Sequence, residues 1–192
     1  FVAFRSETNG YVPGDLRGIE DLFVRDRIEN TTVRPTASED GSGPNASIGW
    51  YSMSADGSLV AFSSSAANLT PGDTNETDDV FVFDHRTGAI EHISRSKDGQ
   101  LGNDASVGPF ISKSGRFVAF TSHADNLVPD DVDTSPDVFV VDRETGSIER
   151  IRPALHEEQP NAPIDTPSLS ADGRFLAFQS FADNLVTGDA NF

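Results

Sequence analysis

The residues best placed to do chemistry lie in two acidic loops. One reads Gly72-Asp73-Thr74-Asn75-Glu76-Thr77-Asp78-Asp79, the other Asp130-Asp131-Val132-Asp133-Thr134-Ser135-Pro136-Asp137. Each offers side-chain oxygens at the first, third and seventh positions, counted from Asp73 and from Asp131. A hard cation such as Ca2+ takes about six to eight oxygens from carboxylates, amides, backbone carbonyls and water. Asp73, Asn75, Asp79, Asp131, Asp133 and Asp137 are therefore candidate Ca2+ ligands. The competing reading makes Asp73 and Asp131 the heads of Asx-turns and lets Asp79 and Asp137 cap the loops. An equivalent stretch near the N-terminus has Asp15 and Asp21 but Arg17 between them. An arginine cannot ligate a cation, so that loop is expected to be metal-free, with Arg17 paired to a carboxylate. Asp189 and Asn191 start a fourth copy that lacks its third ligand.

The other reactive side chains do not converge. His85, His92, His123 and His156 share no position of the repeat described below, and surface placement is expected for them. Ser94-Arg95-Ser96-Lys97 matches the Ser-x-x-Lys nucleophile spacing, but that chemistry needs a helical turn and this segment leaves a strand, so chance explains it. Asp26, Asp84 and Asp142 fit turn stabilisation at strand ends. Asn30, Asn45, Asn68 and Asn75 head glycosylation sequons, a pattern that short sequences produce readily. Trp50-Tyr51 could stack on a sugar or touch a partner; filling a gap between structural units is the simpler expectation.

The elements that carry these residues repeat. Phe1-Val2-Ala3-Phe4 returns as Leu59-Val60-Ala61-Phe62, Phe117-Val118-Ala119-Phe120 and Phe175-Leu176-Ala177-Phe178, always 58 residues on. Asp15, Asp73, Asp131 and Asp189 keep that step. So do Asp21, Asp79 and Asp137, and Phe23, Phe81 and Phe139. Ten of the 14 Phe fall in three such columns, which marks a periodic core rather than a scattered binding surface.

Each unit reads as strands and turns. Thr166 to Ser170 is a short first strand, Ser170-Ala171-Asp172-Gly173 a tight turn, Phe175 to Ser180 a second strand. Asp79 to Asp84 is a third strand, rich in β-formers. His85-Arg86-Thr87-Gly88 is a hairpin loop, and Ala89 to Ser94 an outer strand that alternates. The second and third strands are apolar nearly throughout, as strands buried on both faces are. Four antiparallel strands of this kind predict an all-β fold, a β-propeller of four-stranded blades. The expected frame is one propeller fragment over 1-192, with units 1-58, 59-116, 117-174 and a truncated 175-192.

Ser-Ala-Asp-Gly-Arg-Phe-Leu-Ala-Phe (170–178) and Ser-Lys-Ser-Gly-Arg-Phe-Val-Ala-Phe (112–120), followed by Asp-Val-Phe-Val-x-Asp (79–84 and 137–142), resemble the repeats of TolB-like propellers, also called WD40-like or PD40 repeats. The resemblance covers the chain repeat by repeat. It implies a propeller fold in a family that spans periplasmic envelope proteins, propeller domains of prolyl-oligopeptidase-type enzymes and some polysaccharide lyases. The acidic loops also loosely resemble the Ca2+ loops of integrin-type FG-GAP propellers, though they are two residues shorter.

Composition narrows the partners. Lys plus Arg number 14 against 31 Asp plus Glu, a net charge of -17. That balance disfavours nucleic acid and anionic membrane surfaces, which both require basic side chains. No apolar run approaches the roughly 18 residues that cross a bilayer, so membrane insertion is not expected. With no cysteine, disulfides and thiol catalysis are excluded. The expected function is a non-catalytic propeller module of a secreted or cell-envelope protein, extracellular or periplasmic, stiffened by Ca2+ and binding a protein or a glycan. The alternative is the propeller portion of a larger peptidase or lyase. The chain starts at a second strand and ends before a third, so about three to three and a half blades are expected. The open blade edges would be completed by further chain or another subunit.

Overall fold

The computed structural model describes residues 1–15, 18–36, 43–131, 135–152 and 160–188. Among these there are thirteen strands and no helix. The first sheet holds β1 (Val2–Ser6), β2 (Asp21–Asp26) and β3 (Thr31–Val33). The second holds β4 (Ile48–Met53), β5 (Leu59–Ser64), β6 (Asp79–Asp84) and β7 (Ile90–His92). The third holds β8 (Ser106–Ile111), β9 (Phe117–Ser122), β10 (Asp137–Asp142) and β11 (Ser147–Arg150). The last pairs β12 (Ile164–Leu169) with β13 (Leu176–Ser180). Every pairing is antiparallel between sequence neighbours. These are the blades of an open, partial propeller, as the repeat predicts.

Strand alternation explains how the blades stack. In the second blade Val60, Phe62, Phe81 and Phe83 join Leu22 and Val24 of the first blade in one core. The intervening residues Ala61, Val80 and Val82 join Val118, Phe120 and Phe139 of the third. A strand with both faces buried in this way is apolar along most of its length, its buried polar residues, such as Ser63, Ser64 and Asp79, falling at the ends. The Phe columns meet across the second and third strands. Phe4 pairs with Phe23, Phe62 with Phe81 and Phe120 with Phe139, and the rings lie 5.4, 5.6 and 5.8 Å apart. Fully burying each ring contributes roughly 2–3 kcal/mol.

The tight turns lock neighbouring blades. Gly57, Gly115 and Gly173 hold φ of 72°, 78° and 72°. A Cβ there would meet Phe1 at 2.4 Å, Leu59 at 2.3 Å and Phe117 at 2.1 Å. Each glycine thus allows a left-handed turn and receives a side chain from the blade before it. The fourth side chain of that column, Phe175, is 63% exposed.

Candidate functional site

The first strand of each blade builds the candidate site. β4 packs on β8, and β8 on β12, so these strands line one side of the assembly together. All three carry an irregularity, in β4 one residue earlier in the repeat than in β8 and β12. Pairing with the second strand shifts between Ile48 and Tyr51, between Val107 and Phe110, and between Asp165 and Ser168. A bulge of this kind redirects the side chains around it. At Gly49 the backbone lies so close over Ser63 that a Cβ would meet the hydroxyl oxygen at 2.4 Å. The Trp50 N–H donates to that same oxygen at 3.1 Å.

The redirected residues surround a cavity of about 440 Å³. Trp50, Tyr51, Phe110 and Pro109 form its apolar walls, and Asp165 and Thr166 are among its polar lining. Trp50 is 75% exposed. This corrects half of the sequence expectation for Trp50-Tyr51. Tyr51 does fill the space between blades, packing on the first inter-blade core and donating its hydroxyl to the Ala3 carbonyl at 3.3 Å. Trp50 does not, because the bulge turns it away from the blade interface.

The acidic loops sit elsewhere, where the third strand begins. In the third blade the Arg150 guanidinium lies 3.1 Å from Asp131 and 2.6 Å from Asp137. In the first, Arg34 lies 3.3 Å from Asp21, whose other oxygen accepts from Thr36 at 3.2 Å. In the second, His92 takes the arginine's place, 3.1 Å from Asp79. Arg34, His92 and Arg150 are 58 residues apart. They form a column of cationic or ionisable side chains opposite the aspartates. His92 is therefore a correction, since its side chain is 2% exposed and not at the surface. His123 is exposed and His85 half-buried. His156 lies outside the described residues, as do Arg17, Asp133, Asp189 and Asn191.

Asp79 also accepts from the Ser94 hydroxyl at 2.6 Å. Ser94 is thus a buried partner of Asp79. Burial pushes the Asp73 carboxyl above the usual carboxylate range, and the nearby charge of Asp79 pushes it further. Asp78 is raised in the same way. Asp21 is raised because burial outweighs the pull of Arg34. Asn75 turns its amide to the Gly102 carbonyl at 2.9 Å, and its oxygen accepts from the Thr77 N–H at 3.4 Å. Among the described residues, no three His, Cys, Asp or Glu side chains converge as a metal site.

The remaining motifs are structural. Asp26, Asp84 and Asp142 accept backbone N–H groups of the hairpins that follow them. Asp142 also holds Arg116 through two hydrogen bonds, which lower its pKa to about 2. Asn68 bridges to Asn45 and Gly43, and Asn126 repeats the same clasp on Asn103 and Leu101. The Asn-Leu columns are thus loop clasps. Among the described residues, no helix is long and apolar enough to cross a membrane.

Solved structures share this architecture. A putative TolB from Agrobacterium tumefaciens is 16% identical with a TM-score of 0.54, covering 86% of this chain and 47% of that one. The tricorn protease is 17% identical with a TM-score of 0.53, covering 84% and 13%. TolB from Acinetobacter baumannii is 19% identical with a TM-score of 0.50, covering 84% and 32%. The chain therefore spans less than half the length of each. No family model matches it, and no curated protein does.

Proposed function

From a partial β-propeller of TolB-like fold, we propose a non-catalytic binding module that seats an apolar side chain of a protein partner between its first strands. The observation that carries this is Trp50, 75% exposed in a cavity of about 440 Å³ formed by three bulged strands. Ligand sites are typically concave, apolar and furnished with a few polar groups. An exposed tryptophan at the centre of such a surface is a characteristic anchor for a partner. A glycan is the other ligand class. It would need more hydrogen-bonding groups than these mostly apolar walls provide.

Trp50 is the only tryptophan, so its fluorescence reports the pocket alone. Short phenylalanine peptides should change that emission saturably, and Trp50→Ala should lose the binding seen by calorimetry. Saturable binding of oligosaccharides, with none of peptides, would replace the protein ligand by a glycan.

Secretion or an envelope location draws on the TolB-like fold. Ca2+ is proposed for the second blade only. There His92 stands where other blades have arginine, Asp79 Oδ2 is buried without a hydrogen bond, and the charge of Asp79 repels both Asp73 and Asp78. Backbone carbonyls and water would complete the shell. A second functional reading is the propeller part of a larger peptidase or lyase. It draws on the fold alone.

A further inference from the structure

Asp165 is the one charged side chain among the residues that line the inner-strand pocket. It is exposed, and among the described residues no cationic side chain pairs with it. Its carboxylate is held in place locally, accepting from the Thr166 hydroxyl at 3.1 Å. Thr166 has φ of 48°. A β-branched residue in that left-handed region is a strained outlier, of the kind that clusters at ligand-binding surfaces.

Trp50, Gly108 and Thr166, each 58 residues apart, all fall within the bulged stretches. These stretches present a large aromatic, a bare backbone and a polar group to a single cavity, with positive φ at Gly108 and Thr166. The aromatic gives an apolar wall, the glycine leaves open space beyond its Cα, and the threonine orients an acid. A carboxylate lining the same pocket as an exposed indole favours a cation there through charge.

We propose that the pocket selects a protein segment in which an apolar anchor is followed by a lysine or arginine, with Asp165 reading the positive charge. This rests on the reading of the pocket as a peptide site. The two can fail separately.

The test uses the full chain and three peptides, acetyl-Gly-Phe-Lys-Gly-amide and its counterparts with alanine or glutamate in place of lysine. Trp50 fluorescence gives the affinities at low and high salt. The lysine peptide should bind tightest, about tenfold better than the glutamate peptide at low salt, with the gap closing as salt rises. Asp165→Asn should bring the three affinities together and leave that of the alanine peptide unchanged. Glu29→Gln, an equal charge change at an exposed site on another blade, should leave the order intact. If Asp165→Asn keeps the lysine preference, or Glu29→Gln erases it equally, the charge reading at Asp165 is wrong while the peptide site stands. If none of the peptides binds, both readings fall.

Discussion

The guanidinium of Arg150 lies 2.6 Å from the carboxylate of Asp137, and both side chains are almost completely buried. A second bond at 3.1 Å reaches Asp131. The residues that looked like cation ligands thus already hold a cation, supplied by the outer strand of the same blade. Removing one partner of a buried pair leaves an uncompensated charge and costs about 3–5 kcal/mol. Arg150→Met should lower stability by that order in urea unfolding, and the double change with Asp137→Leu should recover part of it.

The second blade tests whether the column is interchangeable. His92→Ala leaves the buried Asp79 carboxylate short of a partner and should cost about 1–3 kcal/mol. His92→Arg copies the first and third blades and should fold at least as stably as the parent, measured by thermal melting.

Asp73 predicts a pH effect. Its pKa is raised in the fold by burial and by Asp79. Between the ordinary carboxylate pKa and this raised value, the folded chain binds more protons than the unfolded one. Stability from this group is therefore full at low pH and falls as pH rises through that window. Asp73→Asn should raise the melting temperature at neutral pH in the presence of EDTA, and the gain should vanish in acid. Calcium should raise the melting temperature of the parent chain and not of this variant. An unchanged parent melt on adding calcium would remove the ion from the second blade.

Blade stacking gives a mechanical prediction. Phe81 is fully buried and stacks on Phe62. Phe81→Ala should cost about 3–5 kcal/mol. Gly173→Ala adds a Cβ 2.1 Å from the Phe117 ring at a φ of 72°. Overpacking of this kind costs roughly 1–3 kcal/mol, before the backbone strain is added. Both are read from denaturant midpoints.

The blades were legible in the sequence because one rule governs them. A strand buried on both faces must be apolar, and equal blades must repeat, so Phe62 and Phe81 recur at fixed spacing. The cation column was equally periodic. It escaped because His92 interrupts the arginines, and because the three lie on or just after an outer strand that sequence alone places at the surface. The pocket was hidden for a different reason. Trp50, Gly108 and Thr166 have nothing in common as residues. Only the bulging of the first strand in each blade, a property of strand register, brings them to one cavity.

The most direct measurement is a titration of the full chain with acetyl-Gly-Phe-Ala-Gly-amide, followed through the fluorescence of Trp50. A saturable change is predicted, with matching affinity by calorimetry and loss of binding in Trp50→Ala. Unchanged emission up to millimolar peptide, in a chain that melts cooperatively, would contradict an inner-strand pocket that binds protein side chains.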